Sequence, residues 1–186
     1  MSFWYAALRG INLPELFASS PKIMLDLLSA KLFNDAFNLG YKDELASSMD
    51  IAIRAMNGAS SIAILLDHIS ITVDTIVTMF NNPNFEAPQT ASILNQTELR
   101  TAKAASILNN TNLLLSRAAE ILNQPTLSPA RAGGILDHPN LSIPRVVDIF
   151  NHPNLSVSRA AEILNQPQLS TSKAEAILVN LSLIHI

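Results

Sequence analysis

The sequence predicts an all-α protein, an α-solenoid with one short helix in each 14-residue repeat, and two periodic features predict it. An Ile-Leu pair recurs in a single 14-residue phase, and such a strict period indicates a repeat architecture. The pairs begin at 93, 107, 121, 135, 163 and 177. Proline recurs in a second phase, at 83, 125, 139, 153 and 167. Because proline disfavours helical backbone in the residue before it, each helix should end just ahead of this position.

The repeat divides the first 180 residues into three parts. Residues 1–50 lack the period and are predicted to form an N-terminal helical cap, which an open stack of helices needs at its end. Residues 51–92 read as degenerate repeats, and residues 93–180 as regular ones. We expect helices of about eight to ten residues beginning near 115, 129, 143 and 157, with no β-sheet.

Each unit has a predicted start, inner face and end. Ser156 is suited to cap a helix N-terminus, and Ser128, Ser142 and Ser170 repeat it. Ile163 and Leu164 lie on the same predicted helix face as two alanines, so this face should be buried. Asn or Asp ends each helix, where we expect a left-handed backbone. Successive helices should alternate between two layers, related by a near two-fold screw with a 28-residue double step.

The final six residues, Leu-Ser-Leu-Ile-His-Ile at 181–186, break the period where a Pro-x-Leu-Ser turn is due. They resemble the translation of the mosaic-end adapter used in sequencing libraries. We therefore expect a non-native tail, a natural chain that continues further, and a frayed or self-associating C-terminal end.

Composition limits the function classes. Twelve basic and fifteen acidic side chains give a net charge of −3, which argues against a strongly basic nucleic-acid module. The chain has no cysteine, no apolar run long enough for a membrane span and no nucleophile, base and acid set. We expect a cytoplasmic protein that is not an enzyme, has no cofactor or metal and does not bind membranes. His138 and His152 lack the carboxylate or cysteine neighbours of a metal site and fit turn chemistry.

Six cations fill one phase of the regular units, and we call them the basic ladder. Its members are Lys103, Arg117, Arg131, Arg145, Arg159 and Lys173. A row of cations could follow a phosphate backbone. The same residues could instead form exposed pairs with acids three positions on, such as Arg159 with Glu162, and we favour this reading. Arg159→Ala should then cost under about 1 kcal/mol and Leu164→Ala about 2–4 kcal/mol.

A second candidate surface lies two residues before the ladder, where side chains vary most. Its apolar members are Leu115, Ile143 and Val157, which suit protein recognition better than base recognition. We expect a helical-repeat scaffold that binds a protein or peptide through these positions and the basic ladder. Nucleic-acid binding through the ladder, as part of a longer multidomain protein, is the alternative.

The short helices ending in Asn-x-Pro and the Leu-Ser turns, across residues 65–178, resemble in style the helical repeats of mitochondrial transcription-termination-factor proteins and TAL effectors. Those families bind nucleic acid, so the resemblance favours the alternative function. Their units are near twice this length, and the paired specificity residues of TAL effectors have no counterpart here. The resemblance therefore assigns no role to any residue.

Overall fold

The computed structural model describes residues 58–67, 71–83 and 85–184, and this part of the chain contains helices and no strand. The predicted cap at 1–50 lies outside the described residues. The helices are α1 (Ala59–Asp67), α2 (Val73–Phe80), α3 (Ala87–Leu94), α4 (Thr101–Asn109), α5 (Leu115–Leu122), α6 (Pro129–Asp137), α7 (Ile143–Phe150), α8 (Val157–Leu164) and α9 (Thr171–Ile184). The all-α prediction is confirmed for these residues.

Each of these helices begins 14 residues after the previous one, from Ala59 to Thr171. The predicted starts at 115, 129, 143 and 157 are confirmed, and α1 to α8 are eight or nine residues long. The step is already regular at α1 and α2, where the sequence pattern has decayed. The helices keep their 14-residue spacing where the repeat is hard to recognise in the sequence, because the buried positions remain apolar in α1 and α2.

The helices end at the Asn or Asp position, but the expected left-handed backbone is wrong. Asn81, Asn95, Asn123 and Asn151 have φ between −79° and −72° and ψ between −17° and −8°, which is right-handed helical geometry. Asparagine is therefore not selected here for its tolerance of positive φ. Its side chain instead accepts a hydrogen bond from a later unit, as Asn123 does from the Ser156 N–H.

Helix starts follow the serine prediction in part. The hydroxyls of Ser128 and Ser156 accept the backbone N–H of Arg131 and Arg159, each at 3.2 Å. Ser142 precedes α7 without such a bond. Its hydroxyl instead donates to Asn109 at 3.0 Å.

Helix α9 runs for 14 residues, through the segment where the other units turn. Val179 stands where the preceding unit has Asn165, and Leu181 stands where it has Pro167. Because both the asparagine and the proline are missing at these positions, α9 continues past the point where the other helices end.

One apolar core runs through the described helices. The Ile-Leu positions of α3 to α6 are fully buried, as are the loop leucines Leu99, Leu113 and Leu127. Each helix packs against the helix two positions on, from α1 with α3 to α7 with α9. In α4 the residues three and two positions before the Ile-Leu pair are the buried Ala104 and Ala105, whose small side chains allow a packed helix to come close.

Candidate functional site

The basic ladder faces the chain's own backbone. In α8, Arg159 is only 8% exposed, and its Nε–H donates to the Leu122 carbonyl at 2.9 Å. Its Nη2 donates to the Gln124 carbonyl at 3.1 Å and also to the carbonyl of Leu127. One guanidinium thus binds three carbonyl groups at the end of α5 and in the turn that follows it.

The same arrangement recurs along the array. Arg145 donates to the carbonyls of Leu108 at 3.0 Å, Asn110 at 3.0 Å and Leu113 at 2.5 Å. Arg131 makes the equivalent bonds to Leu94 and Gln96, each at 3.0 Å, and to Leu99. Each bond therefore joins residues separated by a fixed 37, 35 or 32 positions. The C-terminal end of one helix thereby meets the start of the helix three units on.

The ends of the ladder keep part of this pattern. Lys173 donates through Nζ to the carbonyls of His138 and Leu141, both at 2.9 Å. Lys103 donates to the Ile71 carbonyl at 2.8 Å, and Arg117 to the Phe80 carbonyl at 2.7 Å. The Nη2 of Arg117 is buried without a hydrogen-bond partner. All six cations nonetheless bind at least one backbone carbonyl.

Helix C-termini explain this use of cations. The last four carbonyls of a helix have no partner within it, and the helix dipole places partial negative charge there. A cation supplied by a later unit donates hydrogen bonds to these carbonyls, and their partial negative charge favours the charged form of that cation. Burial opposes that effect and lowers the pKa of Arg131, Arg145 and Lys173.

Two of the predicted i,i+3 ion pairs are present, but the predicted surface exposure of the ladder arginines is wrong. Arg159 and Arg117 do lie 3.1 Å and 3.5 Å from Glu162 and Glu120. The side chains of the two arginines are only 9% and 12% exposed, however, and their other nitrogens reach towards carbonyl groups. The prediction that these cations lie on the surface was wrong because the sequence shows only the acid on the same helix. It does not show the carbonyls 32 to 37 residues away.

A second series of polar contacts uses the Asn or Asp at each helix end. Asn123 accepts the Ser156 N–H at 3.1 Å and the Ser156 hydroxyl at 3.0 Å. The separation is 33 residues, and five other pairs share it. These are Asp67 with Arg100, Asn81 with Leu114, Asn95 with Ser128, Asn109 with Ser142, and Asp137 with Ser170. The series was not predicted, although the strict phase of both members was a usable signal.

The residue after each Asn or Asp supports the turn. The Nδ1 atoms of His138 and His152 accept the N–H groups of Asn140 and Asn154 at 3.1 Å and 3.2 Å. Gln124 instead donates to the Glu120 carbonyl, four residues earlier, at 3.2 Å. Turn chemistry thus accounts for the two imidazoles, whereas the Gln124 amide binds a carbonyl within α5. The described residues contain no group of three or more His, Asp or Glu side chains able to hold a metal ion.

The variable positions differ in exposure along the chain. Leu115 and Ile143 are partly buried and pack on the core, whereas Val157 is 86% exposed. One contact shows a ladder residue reaching this phase, because Arg131 donates to the Thr101 hydroxyl, 30 positions earlier, at 2.8 Å. The residues 30 positions after Leu115 and Ile143 are Arg145 and Lys173.

No described helix has both the length and the apolar character that a bilayer crossing needs. Comparison of the chain with protein families, with curated proteins and with solved structures finds no match.

Proposed function

We propose that this chain is an α-solenoid scaffold that binds a protein or peptide partner. The solenoid follows from contacts that repeat at constant separation, between helices two apart and between the ends of helices three apart. In such an array each unit depends on its neighbours, so outward positions can vary while the frame is kept.

The observation that carries the proposal is the use of the ladder cations on the protein's own carbonyl groups. A nucleic-acid ladder needs cations that can replace counterions on phosphates, and a guanidinium held by three carbonyls is poorly placed for this. The seventh cation of residues 58–184, Arg100, has a 67% exposed side chain but binds Asp67 at 2.8 Å. The described surface therefore offers little free positive charge.

The exposed apolar side chains favour a protein or peptide. Val157 is 86% exposed, Leu114 56% and Leu178 51%. Apolar groups of this kind supply binding free energy when a partner covers them, at about 25 cal/mol per Å² of buried area. Binding of a protein or peptide through these apolar side chains does not require a row of cations.

Two measurements test the proposal together. Random-peptide display against the immobilised chain should enrich a consensus, and the enriched peptide should bind in solution with one-to-one stoichiometry. Labelled single-stranded RNA and duplex DNA should bind weakly, with little change between 50 and 200 mM salt. Tight nucleic-acid binding with a steep salt dependence, or the absence of any peptide consensus, would overturn the assignment.

A further inference from the structure

Within the array, the start of α5 departs from the rule of its own repeat. Leu114 directly precedes α5 and is 56% exposed. The residues directly before the other helices from α2 to α9 are all polar, namely Thr72, Glu86, Arg100, Ser128, Ser142, Ser156 and Ser170. A leucine side chain has no oxygen to accept the N–H groups of the first helical turn, so it cannot cap α5. Residues that break the rules of their own fold in this way are typical of functional positions.

The turn that leads to Leu114 lies along α2. At one end, the Asn110 side chain donates to the carboxylate of Asp74, in the first turn of α2, at 2.7 Å. At the other end, the Leu114 N–H donates to the side chain of Asn81, which ends α2, at 3.1 Å. Asn81 also donates to the Asn112 carbonyl at 2.8 Å. The turn and the helix thus form one strip, with Asp74 at one end and Leu114 at the other, and we call it the α2 strip.

The α2 strip is exposed and polar between its two ends. Asp74, Thr78 and Asn112 are all exposed. Asp74 and Thr78 are four residues apart and therefore share one face of α2. Asp74 precedes Asn81 by seven residues, which is about 10 Å at 1.5 Å per helical residue. An extended peptide covers that distance with about three residues.

We infer that the α2 strip binds an extended peptide in which a Lys or Arg stands about three residues from a large apolar residue. The inference rests on the proposed function and names the chemistry of its partner. The apolar side chain of the peptide covers Leu114, and the cation pairs with Asp74. The peptide backbone between them faces the polar side chains of Thr78 and Asn112.

The charge of the strip favours this occupant. The Asp74 carboxylate attracts a cation and repels the phosphates of a nucleic acid. The cations of the described residues are held within the chain, the ladder by carbonyl groups and Arg100 by Asp67. A second copy could therefore supply a cation from its described residues only by breaking one of these contacts, whereas a peptide brings its own.

The first experiment asks which peptides the full chain selects and whether Leu114 binds them. Random-peptide display should enrich Lys or Arg about three residues from Leu, Ile, Met or Phe. In fluorescence-anisotropy titrations of the most enriched peptide, Leu114→Ser should weaken binding at least tenfold, because it removes the apolar surface that the peptide covers. Val179→Ser is the matched control, since Val179 is 58% exposed on α9, and it should change binding less than twofold.

The second experiment tests the charge. Asp74→Asn keeps an oxygen for Asn110 but removes the carboxylate, so it should weaken binding at least threefold and reduce its dependence on salt. Asp148→Asn, an exposed position on α7, should change neither quantity. Thermal melting verifies that the variants fold. Leu114→Ser should melt at the same temperature or higher, because serine restores a capping residue to α5.

The outcomes separate this inference from the proposed function. Equal effects of Leu114→Ser and Val179→Ser, or a consensus without a cation whose binding Asp74→Asn leaves unchanged, would overturn the α2 strip as the binding surface. Dimers that Leu114→Ser dissociates, seen by sedimentation, would make a second copy the occupant and would also overturn it. The scaffold function stands in these cases, since a peptide is still bound. The absence of any peptide consensus would overturn both.

Discussion

Arg159 donates its Nε–H to the carbonyl oxygen of Leu122, across 2.9 Å and 37 residues of sequence. The bond joins the first turn of α8 to the last residue of α5. Because Arg145 and Leu108 repeat it with the same separation, it is a structural rule of the array and not an isolated contact. Helices too short to be stable alone are thereby held by side chains from three units later.

The first prediction concerns this bond. Arg159→Ala should lower the free energy of unfolding by about 2–4 kcal/mol, because it leaves three carbonyls without their charged donor. Arg159→Lys should lose about half as much, since Lys173 shows that one ammonium can bind two of the three carbonyls. Urea unfolding followed by circular dichroism measures both. A loss under about 0.5 kcal/mol in the alanine variant would show that water satisfies these carbonyls.

How much of this could be predicted from sequence depends on whether a contact is local. The starts of α6 to α8 were predictable, because serine, proline and the apolar residues of one unit determine them, and the start of α5 followed from the 14-residue period. The length of α9 and the role of Asn123 were not assigned correctly, and neither was the burial of Arg159. The role of Asn123 and the burial of Arg159 depend on groups 33 to 37 residues away. The 14-residue period alone does not say which other unit contacts a given helix end.

The second prediction compares two asparagines of the same phase. Asn123→Ala should cost about 1–2 kcal/mol, since it removes the acceptor of the Ser156 N–H and hydroxyl. Asn151→Ala should change stability by less than about 0.5 kcal/mol, because Asn151 is exposed. Chemical denaturation compares the two. Equal losses would mean that the asparagine acts within its own turn and not between units.

The third prediction concerns acid stability. Hydrogen bonds from the Ser170 hydroxyl and then the Ser170 N–H lower the pKa of Asp137 below its ordinary value of 3.8. The folded state therefore binds this proton less readily than the unfolded state. The resulting stabilisation is fully present above the unfolded pKa and is lost as pH falls through the folded one.

Asp137→Asn provides the control, because Asn109 and Asn123 make the same bonds without a titrating group. Thermal melting between pH 2 and pH 6 should show that the variant loses less stability than the natural chain below about pH 4. Superimposable pH profiles would exclude a contribution from Asp137.

The fourth prediction uses adjacent glycines in α6. A Cβ at Gly134 would lie 3.8 Å from the Gln168 Cβ, an ordinary contact, so Gly134→Ala should stabilise the fold by about 0.5–1 kcal/mol through helix propensity. A Cβ at Gly133 would lie 3.0 Å from the Gln166 Cβ, which is too close without a shift. Gly133→Ala should therefore gain less or destabilise the protein. A larger gain at Gly133 than at Gly134, measured by thermal melting, would contradict the close approach of the Gln166 turn to α6.

The fifth prediction follows burial along one phase of the array. Leu122→Ala removes a side chain that is 0% exposed and should cost about 2–5 kcal/mol, as expected for a core leucine. Leu164 is only partly buried, so Leu164→Ala should cost less than Leu122→Ala. Leu178 is 51% exposed, and Leu178→Ala should cost under about 1 kcal/mol.

Hydrogen exchange provides an independent measurement of this gradient. Amides in α5 and α6 should exchange more slowly than those in α8 and α9, because more of the apolar side chains in the later helices are exposed. Equal costs for the three leucine substitutions in a monomeric sample would mean that the leucines of α8 and α9 are packed as tightly as Leu122 of α5.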